Sequence, residues 1–411
     1  MSEIAVSPRL GADSNEFRQG WAVVLACFCA AVFAWGFGFY GQSVYFASLH
    51  ATRGWPASLI ASATTVYYLM GGALLMFVHR AIALLGPRLL LASGAVILGL
   101  GCMALSQADA PWQLYGCGMV MAVGWAATTT TAIATTLSRW FDRQRGLALS
   151  LALNGASGGG FIITPVLART VHSAGLSRGI SLLIPISLAI LLPIILVCVR
   201  GSAPMDALPG ERRTTRSGSQ ALPVYSSQAQ AALSGHVWSI ALPFALALAA
   251  QVGFIVHQVS FLLPHLGADG AANAVAATAA AAAVGRLGLA PLIDRLNQRI
   301  ASAASFAVQA LGLVLMLIVP QEPAVLYGGS VLFGLSVGNV ITLPALIVQR
   351  EVAAQSFGLV IGLVSTIGYT TLAFGPTLLG LVRDATGDYA ASLIVCIALQ
   401  IGGAIIVLVR R

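Results

Sequence analysis

The chain contains no lysine, and Asp and Glu together number only 13 among 411 residues. Charged residues make up 8%, against roughly a quarter in a soluble domain. Beside 58% hydrophobic residues, that shortage excludes one large water-soluble core and implies an integral membrane protein. Cysteine is scarce too. Cys27, Cys29, Cys102, Cys117, Cys198 and Cys396 lie in apolar runs without metal-ligand spacing. They read as inert buried thiols rather than disulfides or a metal site. There is no glycine-rich phosphate cradle, no metal cluster and no nucleophile constellation, so neither an enzyme nor a cofactor is expected. The opening residues lack the short apolar core and small-residue cleavage site of a signal peptide. Residues 1–19 read instead as a cytoplasmic tail. The lysine-free, Ala- and Gly-rich bias is that of a GC-rich bacterium, which places the chain in a cytoplasmic (inner) membrane.

What is present is apolar length. Hydrophobic runs fall at about 20–47, 56–79, 88–107, 112–137, 146–169, 179–199, 237–263, 270–292, 300–319, 324–348, 356–382 and 389–409. A span needs ~20 apolar residues, and each run is near or above that. The expected fold is an all-α membrane protein of twelve transmembrane helices. An even count puts both termini on one side. Sixteen of the 21 arginines then share that side, Arg53, Arg169, Arg178 and Arg383 lie opposite, and Arg286 lies inside a run. By the positive-inside rule both termini are cytoplasmic. The same asymmetry explains the net charge of +8 without a nucleic-acid partner.

The polar stretch 201–235, rich in Ser, Arg, Gly, Ala and Gln, divides a six-helix half (20–200) from a second (236–411) and reads as a flexible linker. Landmarks repeat between the halves at nearly one offset: Arg88 with Arg299, Arg139 with Arg350 and Pro165 with Pro376 are 211 apart, and Gly146 with Gly358 is 212 apart. Two six-helix pseudo-repeats around a site at mid-depth is a transporter architecture.

Arg286 stands out within Ala279–Ala290, a stretch of small apolar residues. An arginine near the bilayer centre costs at least ~2.5–3.5 kcal/mol, so it usually faces a cavity or a partner. No Asp or Glu falls inside any run to neutralise it, which makes a bound anion the natural partner. The alternative is a side chain snorkelling to the surface. His257 lies well inside a run, and it is the candidate proton-coupling group. A neutral histidine bonded to a neighbouring helix is the equal alternative. Tyr40, Gln42, Tyr67, Tyr68, Asn154, Asn339 and Tyr369 sit at mid-helix depth and are candidates to line a substrate cavity. Tyr67 and Tyr68, being adjacent, must point to different faces.

Twelve helices, a six-plus-six repeat and a long central loop resemble the major facilitator superfamily over nearly the whole chain. Its loop motif between helices two and three is matched in the second half by Asp294, Arg295 and Arg299. The first-half copy, His79-Arg80 to Gly86-Pro87-Arg88, has lost the aspartate. Trp140-Phe141-Asp142-Arg143-Gln144-Arg145-Gly146-Leu147-Ala148, followed by Asn154-Gly155-Ala156-Ser157-Gly158-Gly159, is similar to the loop-into-helix-five signature of the monocarboxylate transporter and oxalate:formate antiporter groups. Gly20-Trp21 resembles the Gly-Trp that opens helix one in the former. The resemblance implies gating roles for Asp142, Arg143, Arg145, Asp294, Arg295 and Arg299, and a substrate-binding role for Arg286.

Departures bear on the cargo. Animal monocarboxylate transporters pair the helix-eight arginine with an aspartate four residues earlier, where this chain has Ala282. They also carry a lysine in helix one, which is missing here. Oxalate carriers have a second cation in helix eleven, where this chain offers Tyr369. One buried cation suits one carboxylate. The expected function is therefore secondary active transport of a small organic anion, a monocarboxylate, by a monomer working through alternating access, with protons as the candidate coupling ion. The glycine row before Pro165 does not match the order found in drug:proton antiporters. An exporter of hydrophobic drugs or metabolites is the runner-up. A non-transporting sensor or scaffold is the alternative from another class.

Overall fold

The structure, a computed structural model, describes residues 13–141, 144–199, 225, 230–231, 233–289, 296–353 and 356–409. All regular structure among them is helical. Ten continuous helical runs are long and apolar enough to cross a membrane. Two of these, Ala57–Ser106 and Gly235–Leu289, contain 50 and 55 residues. At 1.5 Å per residue, 50 residues extend ~75 Å, over twice the ~30 Å hydrocarbon layer. Each turns back at a glycine: Gly86 takes φ 77° and ψ 158°, and Gly267 takes φ 68° and ψ 179°. Only glycine adopts such angles without strain.

Divided there, the helices are α1 (Gly20–Arg53), α2 (57–85), α3 (87–106), α4 (Pro111–Leu137), α5 (Gly146–Ala174), α6 (Leu176–Cys198), α7 (235–266), α8 (268–289), α9 (Gln298–Ile318), α10 (Pro323–Glu351), α11 (Leu359–Thr386) and α12 (Ala390–Leu408). The pseudo-repeat extends to helix starts. Both α4 and α10 begin on a proline, whose fixed φ suits a first helical turn and which has no N–H to leave unpaired. The expected helix ends hold to within a few residues, with two differences of consequence. The N-terminal helix already begins at Asp13, within the stretch read as a tail. And α11 runs on to Thr386, which places the carboxylate of Asp384 in its last turns rather than in a loop.

Two ends of the bundle can be told apart by their contacts. At one, Arg299 meets Glu351 and the last turn of α12; we call this the terminal end. At the other, the far end, Asp384 of α11 meets the first residues of α2. One apolar core runs across both halves, and a second, smaller one, which includes Phe244, Phe306 and Val348, lies at the terminal end of the second half.

Three breaks in regular helix gather on the first half. Residues Gly36–Tyr40 of α1 and Gly159–Ile163 of α5 are π-helical and pack on each other. In α4, Thr129 is extended (φ −90°, ψ −169°), which interrupts the i→i−4 ladder. Irregular backbone at such depth is tolerated where it lines a cavity or is buried in protein.

Candidate functional site

Arg286 owes its position to small neighbours. A Cβ on Gly285 would collide with the backbone oxygen of Leu335, so α8 and α10 touch backbone to backbone there. A Cβ on Gly338 would lie 2.8 Å from the Arg286 Nε, so that glycine makes room for the guanidinium. The side chain reaches across to the other half, where Nη1 donates to the Leu153 carbonyl of α5 at 3.3 Å. Its Nε is buried and has no hydrogen-bond partner. Among the described residues no carboxylate pairs with it. Tyr40 of α1 lies near enough for its phenol to interact electrostatically with the cation.

The guanidinium borders a cavity of about 510 Å³ between the halves, a size within the ~300–1,000 Å³ typical of ligand sites. Asn339 and Thr342 of α10, Ser150 of α5 and Thr130 of α4 give it polar points. Gly146 at the start of α5 and Leu289 at the end of α8 mark its terminal-end mouth. A second chamber of about 220 Å³ shares Trp35, Thr130, Ile341 and Ala345 with the first. Its walls include Phe39, Tyr68, Trp125, Gln251 and Tyr369.

Of the residues singled out in the sequence, Arg286 and Asn339 border the first of these adjoining spaces and Tyr68 and Tyr369 the second. Asn154 follows Leu153 in α5, with its Oδ1 buried and unpartnered. Gln42 and Tyr67 turn elsewhere, into a separate small cavity inside the first half. Their polar ends are satisfied locally, as both donate to the Gly38 carbonyl, at 3.4 and 2.9 Å. Tyr67 and Tyr68 thus occupy different faces, as adjacency requires.

His257 is fully buried towards the far end, away from Arg286. Its Nε2 lies 2.9 Å from the Pro376 carbonyl and its Nδ1 3.3 Å from the Tyr389 hydroxyl. A carbonyl can only accept, so Nε2 carries hydrogen and Nδ1 accepts from Tyr389.

Arg299, at 3% exposed, is more deeply buried than Arg286, although it sits in the first turn of α9 rather than within a span. It makes a two-pronged ion pair with Glu351 at 2.9 and 2.7 Å. It also donates to the Val407 carbonyl and the Ser239 hydroxyl, tying together the ends of α7, α9, α10 and α12. The matching positions of the first half do not repeat this pair: Trp140 stands where the second half has Glu351, and Arg88 is exposed. Asp142, Arg143, Asp294 and Arg295 lie outside the described residues, as do the side chain of Arg145 and nearly all of the 201–235 linker.

Sequence reasoning missed two sets of polar groups. Buried Gln251, Gln309 and Gln400 form a hydrogen-bonded chain across α7, α9 and α12. Single glutamines in apolar runs carry no period that would reveal it. The second set is the far-end seam between the halves. Asp384 accepts from the backbone N–H groups of Ala57 (3.2 Å) and Ser58 (2.8 Å). Thr65 of α2 bonds to Thr377 and to the Ala373 carbonyl of α11. Arg169 of α5 reaches Asp269 and Asn273 at the start of α8. These bonds tie the halves together at the far end, beside a cavity of about 480 Å³ bordered by His50 of α1 and by Pro264 and Tyr389 of the second half, while the Arg286 cavity lies towards the terminal end.

Residues 25–408 match the Major Facilitator Superfamily. The chain belongs to that superfamily. It is a multi-pass membrane protein of a transporter family and not an enzyme. It is 30% identical to monocarboxylate transporter 11 of Mus musculus over 340 residues, 78% of this chain and 72% of that one. It is 26% identical to monocarboxylate transporter 13 of Bos taurus, covering 95% and 89% of the two chains. An uncharacterised MFS-type transporter of Bacillus subtilis, YcxA, is 24% identical over 92% of each chain. Among solved structures, the nucleoside transporter NupG superposes with a TM-score of 0.73 over 94% of this chain and 99% of its own, at 12% identity. That likeness speaks for the fold alone.

Proposed function

We propose that the chain is a secondary active transporter of a small organic anion, a monocarboxylate, working by alternating access across a bacterial cytoplasmic membrane with both termini inside. The observation that carries the reading is Arg286: a cation bordering the cavity between the halves, with a buried and unpartnered Nε and no described carboxylate on it. A guanidinium holds a carboxylate through two parallel hydrogen bonds, which an ammonium cannot do. The Leu153 carbonyl is a weak partner that an arriving anion can displace. The relatives named as monocarboxylate transporters support the same substrate class.

On this reading the far-end seam is the closed outer gate, and the cavity opens to the cytoplasm. Twelve crossings follow from counting each glycine-broken run as two. Asn339, Tyr68 and Tyr369 contact the substrate, with Tyr40 and Asn154 behind them, and Gln42 and Tyr67 support the first half from within. Arg299, together with Asp142, Arg143, Arg145, Asp294 and Arg295 in the adjoining loops, governs the inner gate. His257 carries the coupling proton, and the protein acts as a monomer. Uptake into proteoliposomes tests the core of this. Arg286→Lys and Arg286→Ala should both abolish carboxylate uptake while inserting normally. Uptake at the unaltered rate in either variant overturns the anion site.

A further inference from the structure

The chamber next to the Arg286 cavity has a first-half wall of rings and a second-half wall made mostly of aliphatic side chains. Trp35 and Trp125 lie with centroids 5.1 Å apart and planes tilted by 55°. Phe39 stacks on Trp125 at 6.4 Å and meets Tyr68 edge-on at 6.3 Å. On the side that belongs to the second half, Tyr369 and Phe244 stand among aliphatic residues such as Leu248, Val340 and Leu372. The two faces thus come from opposite halves, as a substrate space in an alternating-access protein requires. An anion the size of acetate would engage Arg286 and leave this chamber empty. An organic cation would suit the ring faces but would be repelled by the guanidinium next door. The Tyr68 hydroxyl is a further pointer. Its side chain is 3% exposed, it borders the chamber, and the hydroxyl has no hydrogen-bond partner. A buried unsatisfied hydroxyl is costly unless something fills the role.

We propose that the cargo is an aryl-bearing monocarboxylate, held by its carboxylate at Arg286 and by its ring among Trp35, Phe39, Trp125 and Tyr369, with a polar ring substituent reaching the Tyr68 hydroxyl. The proposal rests on the anion-site reading above. Aromatic pairs prefer the tilted and edge-on geometries already present in the wall, so a flat ring gains there what a saturated ring of equal bulk does not.

The test is binding to the purified full chain in detergent, measured by titration calorimetry. The probes are acetate, pyruvate, cyclohexylacetate, phenylacetate, 4-hydroxyphenylacetate and neutral phenylacetamide. Phenylacetate should bind at least roughly tenfold more tightly than acetate or pyruvate. It should bind about fivefold more tightly than cyclohexylacetate. The 4-hydroxy acid should gain a further factor of roughly five, and Tyr68→Phe should erase that gain. Tyr369→Leu should weaken phenylacetate more than pyruvate. Pyruvate or cyclohexylacetate binding as tightly as phenylacetate overturns the aryl proposal while leaving the anion site intact. Phenylacetamide binding as tightly as phenylacetate overturns the anion site itself, and the proposal with it. No binding by either aryl acid overturns the proposal as well. The unmodified protein decides each of these outcomes, so none depends on the variants folding.

Discussion

Replacing Asp384 with alanine should unlatch the far end. Its carboxylate spans the two halves, accepting from the Ser58 N–H at 2.8 Å and the Ala57 N–H at 3.2 Å, at the N-terminus of α2. A hydrogen bond to a charged group contributes ~1.5–3 kcal/mol net. The positive end of a helix adds ~0.3–1 kcal/mol for an anion. The Asp384 side chain is 23% exposed, so water competes for the same lone pairs. With that discount the latch is worth about 2 kcal/mol to the far-end-closed state, or roughly a 30-fold bias in the gate equilibrium. Asp384→Asn keeps one acceptor without the charge and should lose about 1 kcal/mol, roughly fivefold. Spin labels on Thr52→Cys and Glu322→Cys, exposed positions at the far ends of the two halves, report the opening as a distance distribution by double electron–electron resonance. The long-distance population should rise from wild type to Asn to Ala. A distribution that shifts less than twofold in the alanine variant refutes the latch, and with it the reading of Asp384 as a gate residue.

Three further outcomes are expected. Arg299→Ala takes the two-pronged partner from Glu351, which is 19% exposed and keeps the His236 ring 3.5 Å away, so it should lower stability by about 2 kcal/mol, below the ~3–5 kcal/mol for breaking a fully buried pair; Arg299→Met combined with Glu351→Leu should recover much of the loss, and a double variant no more stable than the single one, by thermal melting, refutes this ledger. Gly338→Ala places a methyl group against the Arg286 Nε and 3.1 Å from the Ala282 carbonyl, so it should weaken carboxylate binding several-fold with a smaller loss in the melting temperature of the ligand-free protein; a large loss of stability with unaltered affinity contradicts that placement. If His257 carries the coupling proton, His257→Gln should retain substrate counterflow but lose accumulation driven by a pH gradient, and accumulation at the wild-type level removes it from the proton path.

Much of this molecule is readable in its sequence, for identifiable reasons. Helix positions follow from apolar length, the two halves from landmarks 211 or 212 residues apart, and the place of Arg286 beside a cavity from the cost of a charge within apolar surroundings. The two sharp reversals sit at Gly86 and Gly267, where composition marks punctuation but not angle. What sequence could not supply was the facing of polar side chains. Gln42 and Tyr40 are two residues apart in α1, yet Gln42 faces the interior of its own half and Tyr40 the Arg286 side. Nor could it show that Asp384, read as lying beyond its helix, would cap a helix more than 300 residues away. Such pairings depend on how the halves dock, and no local pattern records that.

The most direct test of the central claim is the ligand-induced stabilisation of wild-type protein against Arg286→Ala, measured by thermal shift across the carboxylate probes. A ligand at 100 times its dissociation constant stabilises by ~2.7 kcal/mol, a readily visible shift. At least one carboxylate should stabilise the wild type, and that shift should vanish in Arg286→Ala while the ligand-free melting temperatures stay close. A shift of full size in the alanine variant would place the anion elsewhere and contradict the account.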